Sequence, residues 1–259
     1  MSDTRERGFS TRAIRAASRV PNVLQRPSTV PIYQTATFTS GDAEELGDVV
    51  ADARAGFSYT RLSNPTSRAL GDAYAELAGG EAGTALASGM GAIHATLLSQ
   101  LRAGDRIVAP RAAYGSSRTL LSGTFARFGV KVDVVDMTDN AAAAAAIAAA
   151  PTKVVYAETI ANPTTVVTDH ATVARLAHEH GATYVVDNTF ASPYICRPLE
   201  LGADLVVESA TKFLSGHSDV IAGVVAGRAE LIREVEAVEN ETGATLGPFD
   251  AFLILRGIL

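Results

Sequence analysis

The sequence predicts an α/β fold built on a mostly parallel sheet with helices on its faces. From about residue 65, short runs rich in Val and Ile alternate with amphipathic stretches, so strands and helices follow one another along the chain. The short runs are apolar on both faces, which is typical of strands buried in a parallel sheet. No repeat of about 20–50 residues is present, which argues against a solenoid.

This pattern predicts seven strands and five helices. The predicted strands are Thr84–Ala87, Arg106–Ala109, Lys131–Val135, Lys153–Ala157, Thr183–Val186, Asp204–Val207 and Ile221–Ala226. The predicted helices are Gly91–Leu101, Ser116–Phe128, His170–His180 and Ala229–Thr242, with a surface helix in the alanine-rich segment Asn140–Ala150. Residues 63–259 would form this domain. Residues 1–62, rich in Pro, Ser, Thr and Arg, would form an extended arm that packs against another subunit.

Composition narrows the class of protein. The chain has 259 residues and a formal charge of -6, so it lacks the basic surface of a nucleic-acid-binding protein. Cys196 is the only cysteine, which excludes an intrachain disulfide, and the spacing of His178 and His180 does not suit a shared metal ion. Neither a signal segment nor an apolar run of about 20 residues is present. We expect a soluble, cytoplasmic protein without a metal site.

Lys212 is the first candidate for chemistry. It follows the predicted strand Asp204–Val207, and ligands of open parallel sheets bind outside the carboxyl ends of the strands. The chain has only three lysines against nineteen arginines. A lysine amine can form an imine with an aldehyde, although a solvated lysine after a strand explains this position equally well. The hydroxyls of Ser209 and Thr211 beside it could bind a phosphate.

Asp187 ends a second predicted strand, Thr183–Val186. An acid at such a place usually caps a turn or the next helix. A carboxylate is also what a pyridoxal-5′-phosphate (PLP) site needs, since it keeps the pyridine nitrogen protonated. Asp187 and Lys212 together supply both groups from strand ends of one sheet.

A turn of Ser88, Gly89, Met90 and Gly91 lies between a predicted strand and a helix, where backbone N–H groups and the helix dipole favour a phosphate. A plain tight turn is the alternative. The turn is neither a dinucleotide fingerprint, because His94 stands where the third glycine would be, nor a P-loop.

Three further residues are weaker candidates. Tyr114, after Arg106–Ala109, could stack on an aromatic cofactor or could be an ordinary half-buried tyrosine. Arg61, two residues after Tyr59 in the arm, would suit bidentate recognition of a phosphate.

Read together, these segments resemble the Cys/Met-metabolism family of PLP enzymes, the trans-sulfuration enzymes. The matching motifs occur in the family's order and cover nearly the whole chain: Gly8–Arg12, Gln34–Phe38, Tyr59–Arg61, Ser63–Thr66, Ala87–Met90, Ala161–Pro163, Val186–Thr189 and Ser209–Asp219. The resemblance implies the fold of PLP-dependent transferases like aspartate aminotransferase, with PLP as cofactor.

The resemblance also implies roles for individual residues. Lys212 would carry PLP and later move the substrate's protons, Asp187 would pair with the pyridine nitrogen, and Tyr114 would stack on the ring. Asn162 would lie near the ring's phenolic oxygen. The phosphate would be bound by Ser88, Gly89, Met90, Ser209 and Thr211, joined by Tyr59 and Arg61 from a neighbouring subunit of a homotetramer.

The implied reaction acts on a small sulfur-containing or O-acylated amino acid. The sequence motifs of the chain are most similar to those of methionine γ-lyases, which carry out α,γ-elimination. Ser116 and the pair Glu239-Asn240 depart from the pattern of these enzymes. Two alternatives therefore stay open: γ-replacement, as in cystathionine γ-synthase or O-acylhomoserine sulfhydrylase, and the reaction of cystathionine γ-lyase.

A small C-terminal domain that the resemblance implies beyond Gly257 is absent from the sequence, so the apolar segment Phe252–Leu259 is expected to lack a partner. A non-catalytic PLP-binding protein and a nicotinamide-dependent oxidoreductase are the alternatives of other classes.

Overall fold

The computed structural model describes residues 27–51 and 53–259, so the motif Gly8–Arg12 lies outside the described residues. Residues 31–259 form one compact unit, and the few described residues before Pro31 belong to a separate N-terminal unit. No helix in the described ranges is long and apolar enough to cross a bilayer.

The compact unit is built on a seven-stranded sheet with the strand order β1-β7-β6-β5-β4-β2-β3. The strands are β1 (Ala82–Leu86), β2 (Arg106–Pro110), β3 (Lys131–Val135), β4 (Val154–Glu158), β5 (Thr183–Asp187), β6 (Leu205–Glu208) and β7 (Gly223–Gly227). Only β7 runs against its neighbours β1 and β6, and the other pairs are parallel. The carboxyl ends of all strands except β7 therefore meet at one edge.

Helices cover both faces of the sheet. They are α1 (Ala43–Val50), α2 (Pro65–Ala78), α3 (Gly89–Gln100), α4 (Gly115–Thr119), α5 (Asn140–Ala148), α6 (His170–Glu179), α7 (Ser192–Ile195), α8 (Ala229–Thr242) and α9 (Pro248–Ile258). One apolar cluster includes Leu97 of α3 with Tyr156 and Val185 of the sheet. Two clusters on the opposite face include Leu70 of α2 and Val173 of α6. The mostly parallel α/β prediction is confirmed.

Four helices were not predicted from the sequence, α1, α2, the short α7 and α9, although α2 carries clear signals at both ends. The Asn64 side chain accepts the backbone N–H of Thr66, and Pro65 occupies the first helical position. Gly79 ends the helix in the left-handed conformation, with φ of 78°. The asparagine, proline and glycine were thus helix-end signals.

Two predicted elements differ in detail. The predicted helix Ser116–Phe128 is the short α4 followed by a π-helical turn, Leu120–Phe125. The predicted strand β3 is an edge strand with Val134 53% exposed, because it pairs only with β2. Its Asp133 forms an ion pair with the buried Arg106 of β2.

The expectation that Phe252–Leu259 lacks a partner is wrong for the inward side of this segment. Ile254 is fully buried in α9, in the same cluster as Leu70 of α2. Gly257 packs so closely on the loop after Lys212 that a Cβ atom there would lie 2.3 Å from the Ser215 carbonyl oxygen. Helix α2, unforeseen from the sequence, supplies part of the surface that this segment covers. Leu259 remains exposed.

Candidate active site

The turn after β1 meets the loop after β6 at the carboxyl edge of the sheet. The Ser88 side chain caps α3 by accepting the backbone N–H of Gly91 at 3.0 Å. The first two N–H groups of α3, those of Gly89 and Met90, have no acceptor within the helix. A Cβ atom on Gly89 would lie 2.6 Å from the Cβ of Ser209, so only glycine lets these two segments approach.

Asp187 ends β5 and is 8% exposed. Its Oδ1 atom accepts hydrogen bonds from the Thr189 backbone N–H at 2.9 Å and hydroxyl at 2.5 Å. The hydroxyl of the buried Tyr156 lies 3.4 Å from Oδ2. Burial raises the pKa of Asp187, and the hydrogen bonds from Thr189 and Tyr156 oppose that rise.

Thr189 links this carboxylate to the segment that carries Lys212. Its hydroxyl oxygen accepts the backbone N–H of Ser209 at 2.9 Å while its hydrogen is donated to Asp187. One hydroxyl therefore joins the ends of β5 and β6.

Lys212 lies in a tight loop after β6. Its backbone N–H donates to the Ser209 carbonyl at 3.0 Å, and its carbonyl accepts the N–H of Gly216 at 2.9 Å. Within the described part of the chain its side chain makes no hydrogen bond or ion pair. The Thr211 hydroxyl lies 3.0 Å from the Ala222 nitrogen, from which it accepts a hydrogen bond. The loop is held by its backbone, and the lysine amine is left available.

Glu158, at the end of β4, was not predicted as a site residue. It pairs in register with Asp187, is 4% exposed, and accepts the backbone N–H groups of Tyr114 at 2.6 Å and Asn162 at 3.2 Å. Burial raises its pKa to about 7, and the nearby Asp187 adds to the rise, against the two hydrogen bonds. Its position matches that of Asp187 in the next strand, which is the sequence signal that could have found it.

These residues line one cavity of about 300 Å³, which falls at the lower end of the usual range for small-molecule sites. All of the predicted site residues except Tyr59 and Arg61 line it: Ser88, Gly89, Met90, Tyr114, Asn162, Asp187, Ser209, Thr211 and Lys212. The unpredicted polar residues at the cavity are Glu158 and Thr189, and the apolar residues include Ile93, Phe190 and Ile221. Ile221 precedes β7, although the sequence predicted it inside that strand.

Tyr59 and Arg61 do not line this cavity. The Arg61 guanidinium lies 5.6 Å from the centre of the Tyr59 ring and donates a 2.6 Å hydrogen bond to the Asn240 carbonyl in α8. A single chain therefore leaves them outside the cavity, and a contribution from a neighbouring subunit stays a prediction. Among the described residues, no group of three or more His, Cys, Asp or Glu could hold a metal ion.

Residues 10–259 match the family model described as "Cys/Met metabolism PLP-dependent enzyme". The chain belongs to this family. This member is 48% identical to L-methionine gamma-lyase from Pseudomonas putida over 97% of its own length and 63% of that protein's length. It is 40% identical to cystathionine gamma-synthase from Mycobacterium bovis, again over 97% of this chain and 63% of that protein.

Solved structures of family members have the same fold. Cystathionine gamma synthase from Xanthomonas oryzae pv. oryzae, in complex with aminoacrylate and cysteine, superposes with a TM-score of 0.83 at 40% identity, over 89% of this chain and 57% of that one. Cystathionine gamma-lyase from Lactobacillus plantarum, complexed with L-serine, gives 0.81 at 39% identity, over 88% and 57%. The predicted family and fold are confirmed. This family member spans less than two thirds of the length of these relatives.

The residues of the cavity fit PLP, the cofactor of the family. The N–H groups of Gly89 and Met90 begin α3 and can donate hydrogen bonds to a phosphate. The Gly89–Ser209 contact closes a cradle that a side chain would fill. The amine of Lys212, which has no partner among the described residues, and the buried carboxylate of Asp187 complete the groups that the cofactor needs.

Proposed function

We propose that this chain is the PLP-binding part of a carbon–sulfur lyase of sulfur amino acid metabolism, which catalyses the α,γ-elimination of L-methionine or a related substrate. The observation that carries the proposal is that Lys212, Asp187 and the Ser88–Met90 turn line one cavity. The 48% identity to a methionine gamma-lyase supports the choice of reaction.

In this proposal, PLP linked to Lys212 supplies an electron sink for the negative charge that forms on the substrate. Asp187 holds the positive charge of the ring nitrogen, and its carboxylate is kept in place by Thr189 and Tyr156. The Nζ atom of Lys212, once free, would accept the proton from the substrate's Cα. Loss of a second proton from Cβ would supply the electrons that expel the sulfur from Cγ. The Tyr114 hydroxyl donates a proton to the departing sulfur.

The remaining residues bind and orient. The N–H groups that begin α3 and the hydroxyls of Ser209 and Thr211 would hold the phosphate, and Asn162 would interact with the phenolic oxygen of the ring. Tyr59 and Arg61 complete the phosphate site of a second copy of the chain, which makes the protein a homo-oligomer, a tetramer of two dimers. In this proposal residues up to 62 reach toward that copy, those from Pro31 onward as part of the compact unit, and residues 63–259 form the PLP-binding domain.

The test of the cofactor link is spectroscopic. Protein purified with PLP should have a visible absorption band, and borohydride should fix the cofactor to Lys212, as read by peptide mass. In Lys212→Ala the band should be lost. A protein without the band, or a band that persists in Lys212→Ala, would disprove the assignment.

A second candidate is γ-replacement, favoured by the 40% identity to a cystathionine gamma-synthase and by Ser116. An assay of products with methionine, cystathionine and O-acylhomoserines decides between them: an α-keto acid and ammonia indicate elimination, and a new thioether indicates replacement. PLP bound to Lys212 without turnover of any of these would instead indicate a non-catalytic PLP-binding protein.

A further inference from the structure

Glu158 joins two loops that come from different parts of the chain. One carboxylate oxygen accepts the backbone N–H of Tyr114, in the loop after β2, at 2.6 Å. The other accepts the backbone N–H of Asn162, in the loop after β4, at 3.2 Å. A single side chain thus fixes both loops relative to the end of β4.

Tyr114 and Asn162 depend on these bonds for their positions. The Tyr114 side chain is 41% exposed, and within the described residues neither its hydroxyl nor the Asn162 amide makes a hydrogen bond. Tyr114 is also the N-cap residue of α4, and its side chain makes no capping hydrogen bond. The backbone therefore determines where the two side chains lie. Glu158 accepts the backbone N–H of both residues.

Holding two loops with a buried carboxylate has a cost in free energy. Removing the charge from water costs several kcal/mol when no cation compensates it. Among the described residues Glu158 forms no ion pair, and Asp187 stands beside it in the next strand. A carboxylate is kept at the cavity wall although packing alone does not require one.

We propose that Glu158 is a positioning residue that holds Tyr114 and Asn162 at the cofactor cavity, an inference that rests on the proposed function for the roles of those two residues. Its two oxygens set the spacing between the residue that stacks on the ring and the residue that faces the ring's phenolic oxygen. Because an ionised carboxylate is a stronger acceptor than its protonated form, the spacing is best maintained when Glu158 is charged.

Four ionisable groups face Glu158 or share its cavity: Asp187 on β5, Tyr156 on β4, Tyr114 itself, and Lys212 in the loop after β6. With the pKa of Glu158 raised to about 7, lowering the pH through neutrality protonates it and weakens both hydrogen bonds. The position of the two loops should then respond to pH, and it should stop responding when Glu158 cannot ionise.

The test compares Glu158→Gln with Glu239→Gln. Glu239 is the matched control because it is also buried, accepts a hydrogen bond from the Thr84 hydroxyl, and has a pKa raised to about 7, yet it does not line this cavity. Amide hydrogen exchange, measured on the protein without PLP, reports directly on the two loop amides that Glu158 binds. We expect the Tyr114 or Asn162 amide, or both, to exchange about 10-fold faster in Glu158→Gln, and neither to change in Glu239→Gln.

The second readout is the visible circular dichroism of bound PLP, expressed per cofactor fixed by borohydride. We expect its amplitude to fall in Glu158→Gln at an unchanged amount of fixed cofactor. In the wild type it should decrease from about pH 8 to about pH 6, and in Glu158→Gln it should stay level over that range, which a purely structural role would not produce. Glu158→Asp keeps the charge and should retain part of the pH response.

Unchanged amide exchange in Glu158→Gln would overturn the inference. Faster exchange combined with a dichroism signal that follows the wild type at every pH would also overturn it, because the loops would then not act on the cofactor. If borohydride fixes no PLP in the wild type, the proposed function fails, and amide exchange alone decides whether Glu158 positions the two loops.

Discussion

At the residue scale, the site depends on polar groups that satisfy one another. The Thr189 hydroxyl donates to Asp187 and accepts the N–H of Ser209, so it serves the carboxylate and the phosphate segment together. His170 is a second such residue, away from the cavity. It is 3% exposed, with Nδ1 2.7 Å from the Tyr184 hydroxyl and Nε2 3.0 Å from the Thr159 hydroxyl.

Thr189→Val should weaken PLP binding by about 10-fold and lower the free energy of unfolding by about 1–3 kcal/mol. The reason is that valine leaves the Ser209 N–H without its acceptor and removes a donor from Asp187. Titration with PLP and urea denaturation measure the two effects. Thr189→Ser keeps the hydroxyl and is the control; a loss in Thr189→Ser as large as that in Thr189→Val would contradict the assignment of the effect to the hydroxyl.

His170 should make the stability depend on pH. Burial lowers its pKa to about 4 from the usual 6.5, so between these values the unfolded chain binds a proton that the folded chain excludes. Stability is therefore lost as the pH falls from 6.5 to about 4, by at most about 3 kcal/mol. Urea denaturation at pH 6.5 and at about pH 4 measures the free energy of unfolding of the wild type and of His170→Gln. Between these two pH values the wild type should lose this amount of stability relative to the variant; a difference that stays constant would contradict the prediction. The comparison with the variant is needed because Glu158 and Glu239, with pKa values raised to about 7, act in the opposite direction.

At the element scale, the position of Lys212 depends on α9. This helix buries Ile254 against α2 and brings Gly257 onto the carbonyl groups of Leu214 and Ser215. The contact leaves no room for a side chain between the helix and the lysine loop. Periodicity in the sequence indicated an apolar segment here but not its partner, because the partner α2 lies far away along the chain.

Gly257→Ala should destabilise the protein by about 1–3 kcal/mol, because the added methyl group would lie 2.3 Å from the Ser215 carbonyl oxygen and would force α9 away from the loop. The control is Gly47→Ala in α1, where nothing lies within 4 Å of the added Cβ and alanine should stabilise the helix by up to about 1 kcal/mol. Thermal unfolding measures both. A neutral Gly257→Ala would mean that the contact is looser than the structure indicates.

At the scale of the whole molecule, one chain presents an open cavity. Ile221 at this cavity is 66% exposed, Phe213, which lines the adjoining cavity together with Lys212 and Ile221, is 62% exposed, and Tyr59 and Arg61 lie elsewhere. Exposed apolar side chains at the mouth of a site are typical of a surface that another chain covers. Both features support the proposal that a complete site needs a second copy.

Hybrid oligomers test that proposal. When Arg61→Ala and Lys212→Ala chains, extended by whatever the reading frame adds after Leu259, are unfolded and refolded together, some sites should combine an intact Lys212 with an intact Arg61 from the other chain. We expect turnover of methionine to reappear in the mixture and to be absent from each variant refolded alone. No recovery, at a confirmed mixed oligomeric state, would indicate that each site is built within one chain.

The order of the seven strands with the five predicted helices, the strand-end location of Lys212 and Asp187 and the glycine turn at Ser88–Met90 were predictable from sequence alone, because local periodicity and short motifs encode them. Tertiary structure decided the rest. The strand-end position of Glu158 was visible in the sequence, but its two hydrogen bonds depend on the register of β4 with β5, which places its carboxylate beside Asp187, and on two loops that only folding brings together. The partner of the C-terminal apolar segment likewise emerged only from packing, since contacts between residues far apart along the chain leave no period in the sequence.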